Sequence, residues 1–481
     1  MTLTRPGYRP RLVDGRVELM MRTFGAVCIE GPKFSGKTWT ALNHAESATM
    51  LGSPDGNFEN LRLAEIDPSF ALDGEEPHLV DEWQEVPAIW DAVRDRVDGG
   101  TGKGRFLLTG SSTPRTKGVR HSGNGRIGCV RMGTMSLFES GDSDGSVSLS
   151  SMFDGSFVNV ACRPPSLEGL VGLAVRGGWP GVIGLGTAEA VEFNRSYVRS
   201  ISDRDAARMD DRERDSRKFA MLIRSLARNE STVAGIATLV RDMRDEDDTT
   251  ISQPTVSDYL DALGRLFLTV DQPAFDPNHR SSKRVGRSAK RHLADPALAI
   301  AALEMTPDML IRDLSTFGFM FEALCERDLR VYAEADGGRL MHYRDADGRE
   351  IDAVVEMPDG RWGAFEVKLG TNQIDEAARN LLACSGYFGR GGGSTPEFLC
   401  VVCGMSSAAY RRPDGVYVVP ITALRNRWPR RPRSRKPASH LIFGGRRGPN
   451  PPGSTRHIPS PPITWSICSV SLSDAFRAAT S

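Results

Sequence analysis

The first chemistry that the sequence offers is a phosphate-binding loop. Residues 31–38 read Gly-Pro-Lys-Phe-Ser-Gly-Lys-Thr, a G-x-x-x-x-G-K-T pattern that lies between an apolar run and a helix-forming stretch. Its glycines let backbone N–H groups turn inward around phosphates, at the positive end of the following helix. The lysine then reaches the β- and γ-phosphates, and the threonine hydroxyl ligates Mg²⁺. The predicted nucleotide-binding residues are Gly31, Pro32, Lys33, Phe34, Ser35, Gly36, Lys37 and Thr38.

Two acidic residues supply the second half of this expected site. Asp81 and Glu82 end the apolar run that begins at His78. We expect Asp81 to hold Mg²⁺ through water and Glu82 to orient and deprotonate the attacking water, as the catalytic base. A later apolar run ends in Thr-Gly-Ser-Ser at 109–112, where Thr109 or Ser111 could sense the γ-phosphate. A plain Gly/Ser turn explains these hydroxyls equally well. The pattern predicts ATP and Mg²⁺ as cofactors.

A second group of candidate residues lies near the C-terminus. Residues 350–356 and 362–368 alternate as two strands around a Pro-Asp-Gly turn, which puts Glu366 and Lys368 on one face with Asp352 across the hairpin. Two carboxylates that bind Mg²⁺ and a lysine that steadies the hydroxide or phosphate charge form the arrangement of metal-dependent nucleases. Glu322, on an upstream helical stretch, is a further candidate ligand. Solvated Glu and Lys neighbours also occur on half-exposed hairpins, so cleavage activity is a separate hypothesis.

The elements that must position these residues predict an α/β protein of several domains. Short apolar strands alternate with helical stretches in the N-terminal part, as in a parallel sheet. Three helical stretches and an apolar strand in the middle indicate a winged helix, although its third helix is not basic. The expected divisions are a P-loop NTPase domain (1–140), a helical linker region (141–215), a winged-helix-like segment (216–315), a restriction-endonuclease-like α/β domain (316–424) and a disordered basic tail (425–481).

Composition narrows the class of protein. The 481 residues carry no formal net charge, but eleven Lys/Arg against one acidic residue from Arg425 onward leave residues 1–424 at about −10. The body is therefore acidic, and bulk charge does not argue that it binds nucleic acid. Cys400 and Cys403 form a C-x-x-C without a second ligand pair nearby, so reduced, buried thiols are expected. Without an apolar leader or an eighteen-residue apolar run, a cytoplasmic protein with no membrane partner is predicted.

Several of these pieces resemble one group of prokaryotic AAA+-type ATPases, over about residues 9–424. The pieces are Gly-Pro-Lys at 31–33, Val-Asp-Glu-Trp-Gln-Glu-Val-Pro at 80–87, Leu-Thr-Gly-Ser-Ser at 108–112, Gly-Arg-Ile at 125–127 and Met-Ser-Leu-Phe-Glu at 135–139. Lys33 and Met135 depart from the group's common Arg and Pro-Leu-Ser. The resemblance implies an N-terminal ATPase, a middle winged helix and a C-terminal domain of unknown function with a restriction-endonuclease-like fold. It also makes Arg126 a candidate γ-phosphate contact, with a surface or folding role equally open.

Two functional hypotheses follow. In the first, the protein binds and hydrolyses ATP, and its nucleotide state controls a C-terminal nuclease-like, DNA-directed module. In the second, it is a regulatory or scaffolding ATPase whose C-terminal domain is a catalytically inactive interaction platform. ATP is the expected ligand, and DNA and a second copy of the chain are the candidate partners.

Overall fold

The structure is a computed structural model of the 481-residue chain. It describes residues 3–113, 119–205, 214–247, 251–390 and 393–426. Residues 1–430 form one compact unit. The predicted basic tail lies outside the described residues from 427 onward. None of the helices in the described ranges is long and apolar enough to cross a membrane.

A five-stranded sheet with the strand order β2-β3-β4-β1-β5 organises the N-terminal part. All its pairings are parallel, as the alternation of strands and helices predicts, so the carboxyl ends of its strands share one edge. Strand β1 is buried by helices on both faces, which is why it reads as a continuous apolar run. The strands are β1 (Ala26–Glu30), β2 (Ser47–Met50), β3 (His78–Asp81), β4 (Phe106–Gly110) and β5 (Ile127–Arg131), and the helices are α1 (Asp14–Thr23), α2 (Lys37–Leu42), α3 (Glu59–Ile66) and α4 (Ala88–Asp98).

The segment predicted as a helical linker is helical but also contributes to sheets. Strand β6 (Val147–Ser148) pairs with β16 (Leu424–Arg425) at the end of the described chain. Strand β7 (Val160–Ala161) pairs with β14 (Ala408–Arg411) and so forms one edge of the C-terminal sheet. These short strands carry too few residues to show an alternating pattern in the sequence. The helices here are α5 (Leu137–Ser140), α6 (Leu149–Phe153), α7 (Leu167–Arg176) and α8 (Thr187–Ser200).

Within the described residues, the middle segment consists of three helices of twelve or thirteen residues, three shorter helices and a two-stranded antiparallel sheet. Phe219, Leu222 and Leu226 give the first of these helices a buried apolar face. The two strands pair from Thr269 with Leu293 to Gln272 with Lys290. The elements are α9 (Ser216–Arg228), α10 (Ile236–Asp247), α11 (Gln253–Arg265), β8 (Thr269–Gln272), α12 (Lys283–Gly286), β9 (Lys290–Leu293), α13 (Pro296–Ala302) and α14 (Pro307–Arg312).

A seven-stranded sheet with the order β10-β11-β12-β13-β15-β14-β7 forms the C-terminal part. The predicted hairpin is present as β11 and β12, which pair antiparallel, and β12 continues into parallel pairing with β13. Long buried helix α15 lies against β10, β11 and β12. The elements are α15 (Leu314–Ala335), β10 (Arg339–Arg344), β11 (Glu350–Glu356), β12 (Trp362–Lys368), α16 (Ile374–Arg390), β13 (Phe398–Cys403), β14 and β15 (Tyr417–Pro420), followed by β16.

Candidate nucleotide-binding site

The phosphate loop leaves the carboxyl end of β1 and enters α2 at Lys37. Its backbone needs glycine at two points. A Cβ on Gly31 would lie 2.1 Å from the Met132 carbonyl oxygen, and Gly36 has φ +98°, a left-handed conformation that side chains rarely adopt. The loop is thereby free to turn its N–H groups toward one centre at the start of a helix, which is where phosphates bind.

A buried arginine fixes the loop from the protein side. Arg11 donates from Nη1 to the Ser35 carbonyl at 2.8 Å and from Nη2 to the Gly133 carbonyl at 3.0 Å. Its Nε is 3.0 Å from Glu139, whose carboxylate also closes a capping box with Ser136 at the start of α5. Arg11 therefore ties the phosphate loop to the segment that leaves β5. Sequence reasoning missed it, because it lies twenty residues before the motif in a stretch without a recognisable pattern.

The Lys37 ammonium is placed to bind an anion. Its side chain is buried, and Nζ donates to the Pro32 carbonyl at 2.9 Å. Burial lowers the pKa of Lys37 to about 8, although the nearby carboxylates of Glu82 and Asp81 oppose that shift. A bound polyphosphate adds negative charge beside the ammonium and favours its charged form.

The acidic residue at the tip of β3 meets the loop threonine. The Thr38 hydroxyl donates to Asp81 Oδ1 at 2.7 Å, and the Thr109 hydroxyl donates to the same oxygen at 2.6 Å. Burial raises the pKa of Asp81, while these two hydrogen bonds favour its charged form. A hydroxyl and a carboxylate oxygen side by side are the hard ligands that suit Mg²⁺. The site therefore fits the cation that the sequence predicts.

The neighbouring acid is held by the side chain of Ser111, directly after β4, and by that of Gln84. The Ser111 hydroxyl donates to Glu82 Oε2 at 2.9 Å, and Gln84 Nε2 donates to the same oxygen. The Glu82 N–H donates to the Thr109 hydroxyl at 3.1 Å, and Glu82 has a left-handed backbone with φ 58°. A backbone conformation that is uncommon outside glycine persists only where its surroundings hold it, as here. The predicted hydroxyls of Thr109 and Ser111 thus lie against the acidic pair.

A cavity of about 790 Å³ opens over these residues, large enough for a nucleotide. Part of its wall comes from segments that the sequence did not assign to the site. These are the N-terminal residues around Tyr8, and Pro180 and Phe193 from the segment 141–215. Trp39, directly after the motif, also lines the cavity and was a local signal of an apolar wall. The predicted residues that line the cavity are Lys33, Phe34, Gly36, Lys37, Thr38, Glu82 and Ser111.

Helix α8 contacts the tip of the loop. The Tyr197 hydroxyl donates to the Lys33 carbonyl at 3.2 Å. The Phe34 ring, which is 62% exposed, stands edge-on to Tyr197 at 5.6 Å and to Phe193 at 6.2 Å between ring centroids. The loop tip is therefore supported by a helix of the segment 141–215.

The prediction that Arg126 contacts the γ-phosphate is wrong for a site within one chain. Arg126 precedes β5, and its carbonyl accepts from the N–H of Ala26, at the amino end of β1. The phosphate loop leaves the opposite end of β1, five residues or about 16 Å away. Arg126 instead pairs with Asp98 at 2.8 Å and is 47% exposed. Parallel pairing with β1 dictates this placement, because a residue before a strand lies at its amino end.

The C-terminal hairpin brings its predicted residues together. Lys368 Nζ lies 2.9 Å from Glu366 Oε2 and 3.5 Å from Asp352 Oδ2. Asp352 Oδ2 also accepts from the Val367 N–H at 2.8 Å, and Glu366 Oε1 accepts from Asn380 at 2.7 Å. Burial and the charge of Asp352 raise the pKa of Glu366 to about 8. The predicted trio is a compact, partly buried cluster of side chains.

The fourth predicted residue of this group has a partner that sequence reasoning missed. Glu322, on α15, is 2.6 Å from the Nζ of Lys290, which comes from β9 in the middle segment. The ammonium is also 3.1 Å from Glu326. No group of three or more His, Cys, Asp or Glu side chains within the described ranges is arranged to hold a metal ion. Lys290 lies far from the hairpin in the sequence, so no residue spacing indicated that it would join this group.

Family comparisons agree with the N-terminal geometry. Residues 23–140 match an AAA domain. This part of the chain is AAA-like. The match supports ATP binding by this part of the chain. Residues 167–309 and 317–424 match two domains of unknown function, DUF8612 and DUF4143, and neither match adds an activity.

Longer matches are found to two proteins and to two solved structures. Two uncharacterized proteins, of Mycobacterium tuberculosis and Mycobacterium bovis, are each 25% identical to the chain over 364 residues, 74% of this chain and 73% of the relative. The Walker-type ATPase PABY2304 of Pyrococcus abyssi aligns over 63% of this chain and 97% of its own, with 14% identity and a TM-score of 0.39. The ORC1 protein of Aeropyrum pernix, solved in complex with DNA, aligns over 64% and 96%, with 13% identity and a TM-score of 0.22. At these TM-scores neither solved structure extends the assignment.

Proposed function

We propose that the AAA-like part binds ATP with Mg²⁺ and hydrolyses it. The observation that carries the proposal is the 2.7 Å hydrogen bond between Thr38 and Asp81 beside the buried ammonium of Lys37. Residues 43 positions apart thus meet where the phosphate loop begins its helix. Phosphoryl transfer needs mainly positioning and charge stabilisation, and these groups provide both.

Each side chain has a role that its surroundings support. Lys37 holds the β- and γ-phosphates. Thr38 holds Mg²⁺ directly and Asp81 holds it through water, and the ion neutralises charge on the phosphates. Glu82 orients the attacking water and accepts its proton. Ser111 hydrogen-bonds one carboxylate oxygen of Glu82, which keeps the base in one orientation.

Buried hydrogen bonds and ion pairs connect the segment after β5 with helix α15. The N–H of Leu137, at the start of α5, donates to Asp328 of helix α15 at 2.9 Å. The Thr134 hydroxyl donates to Asp295 at 2.7 Å, and Arg327 bridges Asp295 and Asp328 at 3.0 and 2.6 Å. Thr134 and Leu137 follow β5, in the stretch that Arg11 ties to the phosphate loop. We propose that ATP binding acts through this network on the C-terminal part.

For the remaining segments, we propose a winged-helix-like middle and a restriction-endonuclease-like C-terminal domain. Helices α9, α10 and α11 with the two-stranded sheet of β8 and β9 support the first, and α15 packed on the β10–β12 strands next to β13 supports the second. DNA is a candidate ligand of this module. A second copy is another candidate partner, because the exposed Arg126 could act only on the nucleotide of a neighbouring chain. A cytoplasmic location remains a proposal.

Nucleotide binding and steady-state hydrolysis by three variants test the proposal. Lys37→Ala is expected to abolish ATP binding. Glu82→Gln is expected to bind ATP as tightly as the parent chain but to lose hydrolysis. Glu65→Gln, the same change at an exposed residue of α3, is the control and is expected to hydrolyse normally. Normal turnover by Glu82→Gln would refute the assignment of the base.

A further inference from the structure

Lys290 enters the C-terminal carboxylate cluster from another segment of the chain. It is the first residue of β9, and its side chain is 1% exposed. Its Nζ lies 2.6 Å from Glu322 Oε1 and 3.1 Å from Glu326 Oε1, and it donates to the Asp352 carbonyl at 3.3 Å. The three donors of an ammonium group therefore all have oxygen partners.

The hairpin β8–β9 holds this ammonium in place. Gln272, which pairs with Lys290 across the hairpin, donates from Nε2 to the Met341 carbonyl at 2.8 Å and to the Asp352 carbonyl at 3.0 Å. Both side chains of this cross-strand pair therefore reach the same carbonyl of β11. Lys368, in contrast, ends a strand and is 27% exposed. Lys290 is thus a fixed, buried part of the cluster.

The carboxylates of the cluster already have nitrogen partners. Glu326 is fully buried between Lys290 and His292, whose Nε2 is 3.4 Å from Glu326 Oε2. Glu366 pairs with Lys368 and accepts a hydrogen bond from Asn380. Asp352 pairs with Lys368 and accepts a hydrogen bond from a backbone N–H. A Mg²⁺ ion would need several of these oxygens to face one point at about 2.0–2.1 Å. A buried positive charge on the Glu322 side of the cluster opposes that arrangement, so the predicted ligand set of Glu322, Asp352 and Glu366 does not fit the ion.

We propose that the Lys290 ammonium takes the place of a divalent cation in this cluster. The positive charge that offsets the carboxylates is supplied by the chain itself. The C-terminal part therefore does not cleave phosphodiesters with a metal ion. This favours the interaction platform over the nuclease. It does not depend on ATP hydrolysis, so either proposal can fail alone.

Mn²⁺ binding without nucleotide tests the proposal in the full chain. The parent for the test carries Asp81→Asn, which removes the carboxylate assigned to the cation at the ATP site. Free Mn²⁺ is followed by electron paramagnetic resonance. We expect this parent to bind no Mn²⁺ up to submillimolar concentrations. Addition of Lys290→Met should create one Mn²⁺ site, lower the melting temperature and allow Mn²⁺ to restore it. The matched control is Lys283→Met, an exposed lysine of the same hairpin connection, which should change neither property.

Three results would overturn the proposal. The first is Mn²⁺ binding by the Asp81→Asn parent that disappears with Asp352→Asn. The second is a folded Lys290→Met chain that gains no Mn²⁺ site. The third is Mn²⁺-dependent cleavage of plasmid or single-stranded DNA by the otherwise unaltered chain that Lys368→Ala abolishes. If Lys290→Met does not fold, the first and third measurements still decide.

Discussion

Thr109 offers the sharpest test of the candidate ATP site. Its hydroxyl donates to Asp81 at 2.6 Å and accepts from the N–H of Glu82 at 3.1 Å, and the residue is fully buried. Thr109→Val keeps the shape of the side chain and removes both hydrogen bonds. Thr109→Ser keeps both hydrogen bonds and removes one methyl group. The pair of variants therefore separates hydrogen bonding from packing.

The expected magnitudes follow from these contacts. Loss of a hydrogen bond to a carboxylate costs about 1.5–3 kcal/mol, and a buried N–H left without a partner costs about 1–3 kcal/mol. Because such losses are partly relieved by relaxation, we expect Thr109→Val to destabilise the AAA-like part by about 2–4 kcal/mol. Loss of the methyl group in Thr109→Ser should cost about 0.8 kcal/mol.

Nucleotide binding should show the same contrast. Without the hydroxyl, Asp81 is less well placed for Mg²⁺ and its already raised pKa rises further. We expect the dissociation constant of Mg²⁺–ATP to increase about tenfold in Thr109→Val, equivalent to about 1.4 kcal/mol, and the loss to grow as the pH falls. Titration of a fluorescent ATP analogue with Mg²⁺ and with EDTA measures the effect, which should be confined to the Mg²⁺ series. Equal affinities for Thr109→Val and Thr109→Ser would refute the reasoning.

Three further outcomes are expected. Because burial lowers the pKa of Lys37 to about 8, its ammonium is present below that pH and is lost above it, so ATP affinity should fall as the pH rises above about 8; a flat titration curve would contradict this. Arg11→Met leaves Glu139 buried without its cation and should lower the unfolding free energy by about 3–5 kcal/mol in urea titrations. The control Arg9→Met removes one hydrogen bond to a carbonyl and should cost about 1 kcal/mol or less. Arg126→Ala should leave ATP binding by a single chain unchanged in the same fluorescence titration, and a tenfold loss would restore the rejected contact.

Local patterns predicted much of the fold and the centre of the site. The α/β class and the parallel N-terminal sheet are confirmed, and the strands β11 and β12 have the predicted bounds. Such features depend on residues that are neighbours in sequence, since alternation and turn residues act over a few positions. Strands β6 and β7 were not predicted, because two residues carry no periodicity and their partners lie more than 200 positions away.

The sequence by itself determined the phosphate loop and the acidic pair, since glycine placement, the lysine and the strand-ending carboxylates are set within short stretches of chain. Only the tertiary structure decided which distant groups surround them. The parallel direction of β5 placed Arg126 at the amino end of the sheet, away from the phosphate loop, and packing of α8 brought Phe193 and Tyr197 to the loop. The same holds for Lys290, which reaches Glu322 from another segment. These long-range contacts form because whole surfaces are buried against one another. No short residue spacing in the sequence corresponds to them.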